Sequence, residues 1–177
     1  MSPPPWLLSD VLQVCYLHHK REILVAAIRQ RFQLLTGVTF RGHLLEHENL
    51  QLVNYGVAGS LRLHNDISPF RFTARLATFM VYLTSPHGGH TVFPVQGVTE
   101  EAVAGDALLW YGMKADGLKD SRSLHLACPV AAGSKWVANM GVNLDQGWEG
   151  GQGAGRGGMW QKLPCSRESR HYPALHN

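Results

Sequence analysis

From Asn49 to about Leu144 the chain is a succession of short apolar runs, each closed by turn residues, and this rhythm limits the fold more than any other feature. LQLVNYG is rich in apolar and aromatic residues and ends at glycine. LRLHND alternates, with Leu61 and Leu63 on one face and Arg62, His64 and Asp66 on the other. RLATFMVYL is nearly continuous in apolar residues, as expected of a buried strand. TVFPV contains a proline, which cannot donate to a ladder and so belongs at an edge or a bend. GDALLWYGM, SRSLHLACPV and SKWVANMGVNL complete the series. Short strands at such intervals build a sandwich or a barrel. The expected fold is mainly β with a supporting N-terminal helix, a double-stranded β-helix (jelly roll). That helix is expected from Lys20 to Leu35, where Leu24, Ile28, Phe32 and Leu35 recur at three and four, with Thr36-Gly37 as the stop.

With 177 residues and 45% hydrophobic content, the chain has room for one domain and its core. Residues 1–19 read as an atypical N-terminal segment, 20–146 as the domain, and 147–177 as a Gly-rich loop and C-terminal tail. The glycine run from Gly147 to Gly158 has no strand before it and no Lys-Ser/Thr opening a helix after it, so it is no phosphate-binding loop. No run of about 18 apolar residues is present, so no membrane span is expected. MSPPPWLLSDVLQV lacks a basic start and is interrupted by Asp10, so it does not read as a signal peptide, and a chain beginning there would stay in the cytosol. The net charge of +3 is small and the arginines are scattered, so nucleic acid is not an expected partner. Cys15, Cys128 and Cys165 make no disulfide framework by count and no zinc spacing.

Residues two apart in a strand share a face, so His64 and Asp66 project together while Asn65 points away. A further ligand must come from another strand, and His125 in SRSLHLACPV supplies one. Two imidazoles and a carboxylate suit a non-haem Fe(II) centre with open coordination positions. The strand of His125 is expected to form a hairpin with SKWVANMGV through a turn at residues 129–133. Lys135, Val137, Asn139 and Gly141 then share a face, with His125 and Lys135 both inward. A lysine inside a barrel needs an anion, and a dicarboxylate cosubstrate supplies one. Of the other histidines, His18, His19, His43, His47, His171 and His176 flank the core, and His87 and His90 sit in the turn PHGGH.

These blocks together resemble the prolyl 4-hydroxylase family of Fe(II)/2-oxoglutarate dioxygenases, most closely the catalytic domain of the collagen prolyl 4-hydroxylase alpha subunits. The resemblance runs from about Ile28 to Cys165, through LLTG, LQLVNYGVAG, HND, RLATFMVYL, GGHTVFP, GDALLWYG, SLHLACPVAAGSKWVANMGV and MWQKLPC. It implies that His64, Asp66 and His125 are catalytic iron ligands, and that Lys135, Tyr55 and Thr91 hold the distal carboxylate of 2-oxoglutarate. It implies a reaction in which 2-oxoglutarate gives succinate and carbon dioxide while a prolyl C4 of a procollagen-type peptide gains a hydroxyl. L-ascorbate as a further cofactor, protein disulfide isomerase as a partner and the endoplasmic reticulum lumen as the compartment follow from the same resemblance, as does a Cys128–Cys165 disulfide.

The chain departs from the family in three places. Members usually carry a tryptophan where Gly141 stands, so an inward indole is replaced by space. The elements that precede LLTG in the family do not match MSPPPWLLSDVLQVCYL. The glycine-rich segment enlarges the loop before Cys165. The first two favour an alternative reading, a catalytically impaired truncated jelly roll acting as an interaction fragment. A plain zinc-binding β-barrel is a third.

Overall fold

The computed structural model describes residues 12–17, 23–36, 50–67, 75–114, 116–143 and 160–163. Among them the strands are β1 (Leu12–Leu17), β2 (Leu50–Tyr55), β3 (Leu61–His64), β4 (Arg75–Tyr82), β5 (His87–Gly88), β6 (Thr91–Phe93), β7 (Val98–Glu100), β8 (Ala107–Tyr111), β9 (His125–Ala127), β10 (Val130–Ala132), β11 (Lys135–Asn143) and β12 (Trp160–Leu163). One α-helix, α1 (Ile23–Thr36), follows β1, and a 3-10 turn at Ser121–Ser123 leads into β9. The strands form a six-stranded sheet in the order β1-β2-β11-β4-β8-β12, a four-stranded sheet in the order β3-β9-β6-β7, and the pair β10-β5. Every pairing is antiparallel. This is the jelly roll expected from the strand rhythm.

The six-stranded sheet is apolar on both faces, which explains the near-continuous apolar run of β4. Ala77 and Phe79 of β4, Ala107 and Leu109 of β8, and Ala138, Met140 and Val142 of β11 pack with Val25 and Phe32 of α1. The alternate residues Met80, Tyr82, Leu108, Trp110 and Val137 face inward, where they meet Phe93 and Ala127 of the four-stranded sheet. The period of two thus sorts one strand between a helix-covered face and an interior face.

Two readings of the sequence need correction, the buried stripe of α1 and the hairpin of His125. The buried stripe of α1 is Val25, half-buried Ile28 and Phe32, whereas Leu24 is 79% exposed. Both Leu24 and Val25 continue a spacing of three and four to Ile28, so periodicity alone does not choose between them. β1, within residues 1–19, pairs with β2 over its whole length, from Leu12↔Tyr55 to Leu17↔Leu50. Its polar and apolar residues mix because it is a sheet edge. Cys15 in that strand is exposed. The expected hairpin of β9 with β11 does not form, because β9 pairs with β3 and β6 while β11 pairs with β2 and β4. The residues read as the turn hold β10, which pairs with β5 as the chain crosses between sheets. Two strand-like runs around a short polar stretch look the same in sequence whether they fold back or cross over. Cys165 lies outside the described residues, and with it the Cys128–Cys165 pairing.

TVFPV behaves as expected: β6 stops at Phe93, and the turn through Pro94 and Gly97 returns the chain as β7. Phe32 is fully buried, with its ring centroid 4.9 Å from that of Phe79. Phe32→Ala should therefore destabilise the protein by about 3–5 kcal/mol in urea denaturation. A cost below about 1 kcal/mol would mean that α1 does not anchor the outer face of the sheet.

Candidate active site

The last residue of β3 and the first of β9 stand opposite each other, which brings His64 to His125. Their ring centroids are 4.2 Å apart. Asp66 lies just beyond β3, with Oδ1 3.5 Å from His64 Nε2 and 3.8 Å from His125 Nε2. One ligand atom from each residue falls within 4.8 Å of the others, a grouping able to hold a metal ion.

Hydrogen bonds prepare these atoms for that role. His64 Nδ1 lies 2.8 Å from the Arg62 carbonyl and His125 Nδ1 lies 2.9 Å from the Ser123 carbonyl. A carbonyl only accepts, so the network assigns the proton to each Nδ1 and leaves each Nε2 lone pair toward Asp66. The Asp66 carboxylate is divided in the same way. Its Oδ2 accepts from Thr78 Oγ1 at 2.5 Å and from Trp110 Nε1 at 3.1 Å, which leaves Oδ1 to the imidazoles. Arg75 Nη1 stands 3.8 Å from Oδ1. Gly141 is buried on the inner side of β11, opposite Thr78.

Asp66 and His125 hold the charge states this geometry needs for a cation, while His64 is drawn toward its protonated form. Burial alone would raise the Asp66 carboxyl, but His125, the His64 contact and Arg75 outweigh it and hold the group well below the usual carboxylate range. At His64, burial acts downward and the Asp66 bond overcomes it, so that imidazole titrates above its ordinary value. At His125, burial prevails over Asp66 and lowers the value, favouring the neutral ring. Anionic aspartate and the neutral His125 ring are the forms a divalent cation requires, and at His64 the cation would take the place of the proton that Asp66 favours.

The second expected group also assembles. Lys135 opens β11 and sits across from Tyr55 of β2. It is 1% exposed. Its Nζ donates to Thr91 Oγ1 at 3.2 Å and lies 5.2 and 5.4 Å from the ring centroids of Tyr55 and Tyr82. The Tyr82 hydroxyl donates to the same Thr91 oxygen at 2.7 Å. Among the described residues no carboxylate pairs with this ammonium. Burial drives its pKa down to about 8, and burial likewise pushes the Tyr55 and Tyr82 phenols up. Gly89 passes over the lysine with φ +70, and a Cβ there would stand 3.2 Å from Val130 Cγ2 and 3.3 Å from Lys135 Cδ. Thr91 pairs with Ala127, two residues beyond His125, so both groups face the same interior.

Thr78, Trp110 and Tyr82 were not picked out from the sequence as site residues. The available signal was polar residues at alternating positions in an apolar strand: Thr78 and Tyr82 share the inner face of β4. Trp110 reads as packing, and it packs against His125 at 4.8 Å, but its indole N–H also holds Asp66. His87 falls in β5 and joins neither group.

Comparison with known proteins agrees with this site. The 2OG-Fe(II) oxygenase superfamily matches residues 50–142, and the chain belongs to that superfamily. Membership implies Fe(II) and 2-oxoglutarate. Within it the chain resembles the prolyl 4-hydroxylases. It is 39% identical over 132 residues to prolyl 4-hydroxylase subunit alpha-2 of Gallus gallus, covering 70% of this chain and 24% of that protein. It spans about a quarter of the length of the curated relatives it matches. The viral collagen prolyl hydroxylase of Paramecium Bursaria Chlorella virus-1, solved as a 2OG complex, superposes with TM-score 0.66 at 21% identity over 76% of this chain and 79% of that one. A prolyl hydroxylase from Trichoplax adhaerens, solved with a hypoxia inducible factor peptide fragment, superposes with TM-score 0.55 at 16% identity over 76% and 63%. No helix among the described residues is long and apolar enough to cross a membrane.

The buried ammonium has a consequence for stability. The unfolded chain keeps this proton up to the ordinary lysine value of 10.5, and the folded chain loses it at about 8. Stability without cosubstrate should therefore rise between these pH values and be lost as pH falls through 8. Lys135→Met should stabilise the anion-free protein at neutral pH by on the order of 1–3 kcal/mol and flatten this dependence. Thermal melts across pH check it, and a variant that melts below the unmutated chain would contradict an uncompensated buried charge.

Proposed function

We propose that this chain is a Fe(II)- and 2-oxoglutarate-dependent dioxygenase that hydroxylates a peptidyl proline at C4, in a procollagen-type or other proline-rich chain. His64, Asp66 and His125 hold the metal, and Lys135, Thr91 and Tyr55 hold the distal carboxylate of the cosubstrate. The observation that carries this reading is the buried Lys135, paired with no carboxylate among the described residues, in the same interior as the convergent ligand atoms of His64, Asp66 and His125. Bound iron would supply oxygen activation coupled to oxidative decarboxylation of 2-oxoglutarate. The names of the relatives support the prolyl substrate, and ascorbate dependence belongs to the same reading.

The chain's own residues position, select and exclude. Lys135 and Tyr82 both donate to Thr91 Oγ1, which fills its lone pairs and leaves the threonine proton to point at an incoming carboxylate. The ammonium provides charge that a neutral analogue cannot satisfy. Thr78 and Trp110 keep Asp66 from rotating away from the histidines. Phe93 and Trp110, with ring centroids 5.4 and 4.8 Å from His125, wall that imidazole with apolar surface and keep water from it.

Anaerobic absorption with Fe(II), before and after 2-oxoglutarate, tests this. Chelation of the oxo-acid to iron gives a visible charge-transfer band. His125→Ala should abolish it, and Lys135→Ala should raise the 2-oxoglutarate Kd by roughly 30- to 1000-fold, equivalent to about 2–4 kcal/mol. Proline-rich peptide should then stimulate succinate formation and gain one oxygen at proline by mass spectrometry. No band from folded protein would overturn the enzyme reading in favour of an interaction fragment. A band without peptide oxidation would overturn only the substrate.

A further inference from the structure

We propose that Asn65, between two members of the triad, is a positioning residue that sets the spacing of His64 and Asp66 from His125 through a side-chain strut to Ser123. The inference rests on the metal-site reading above.

The ladder joining the two histidine-bearing strands is short and irregular. Leu61 pairs with Ala127 and His64 with His125, with a register shift between them. Such a ladder leaves register weakly specified. It ends at His64, where β3 stops, and Asp66 has no backbone partner across from it in that pairing. Metal ligands tolerate errors of only about 0.2 Å in distance. Some other contact must therefore hold the two segments together.

Asn65 supplies it. Its Nδ2 donates to Ser123 Oγ at 2.9 Å and lies 3.5 Å from the Asp120 carbonyl. Its Oδ1 accepts the Ile67 N–H at 2.9 Å, closing a turn around Asp66. One amide thus fixes the aspartate's own loop with its oxygen and crosses to the other segment with its nitrogen.

The receiving end is rigid. Ser123 is 1% exposed, and its Oγ donates to the Asp120 carbonyl at 2.7 Å. Asp120 is itself buried and caps the 3-10 turn by accepting from the Arg122 N–H at 3.0 Å. The carbonyl of Ser123 accepts from His125 Nδ1 at 2.9 Å. A continuous path runs from Asn65 to Ser123 to the ring of His125, and displacement of Ser123 turns that imidazole.

Cobalt(II), a visible-absorbing substitute for Fe(II), gives the test without turnover. Asn65→Ala and Ser123→Ala should each weaken Co(II) affinity about tenfold and alter the d–d band shape, while the metal-free melting temperature stays close to that of the unmutated chain. The double variant should bind no more weakly than the worse single one, because both break the same Asn65–Ser123 contact. Ser123→Ala is decisive, since it leaves the Asn65–Ile67 turn in place. Unmutated affinity and spectrum in Ser123→Ala, or additive losses in the double variant, would overturn the strut. Absence of Co(II) and Fe(II) binding by the unmutated chain would overturn the metal reading as well, which separates the two failures.

Discussion

One carboxylate joins the two layers of this fold. Asp66 leaves the four-stranded sheet, and its Oδ2 is caught by Thr78 and Trp110 of the six-stranded sheet. Without those donors, a buried carboxylate would face two imidazoles with nothing to fix which oxygen it offers. With them, Oδ1 is presented in one orientation, and both histidines are held in the matching tautomer from behind. The apolar packing of the jelly roll brings the sheets together. The hydrogen bonds across the gap turn that packing into a site with defined ligand directions.

Much of this was legible in the sequence because a strand's period of two converts spacing into direction. His64 and Asp66 share a face on that ground alone, and the inward series of Lys135, Val137, Asn139 and Gly141 follows by the same parity. The inward placement of His125 and Lys135 survives even though the hairpin drawn to explain it does not form. Parity within a strand is local, whereas the choice of partner depends on which sheet the chain enters next. A periodicity that two neighbouring leucine and valine residues satisfy equally could not set the phase of α1. The donors to Asp66 were hidden for a related reason: a tryptophan in an apolar strand looks like packing until its N–H has a partner.

The chemistry divides along the interior. At the triad, mutual attraction between Asp66 and its neighbours offsets burial, so the charges are stable without further help. At Lys135 no carboxylate among the described residues offsets it, and the ammonium is held near the edge of its protonated range. On the proposed reading a cation completes the first group and an anion the second. A fold that leaves one charge unanswered trades stability for selectivity, and only a ligand restores the balance.

Lys135 has little freedom to relieve its situation by moving. Its stem runs close under Gly89, where a Cβ would stand 3.3 Å from Lys135 Cδ and 3.2 Å from Val130 Cγ2, and its amine is tied to Thr91. The far end of the interior is equally fixed by the bonds on Asp66 and the histidines. The amine is therefore held in one place, and a group of opposite charge must come to it rather than be met halfway.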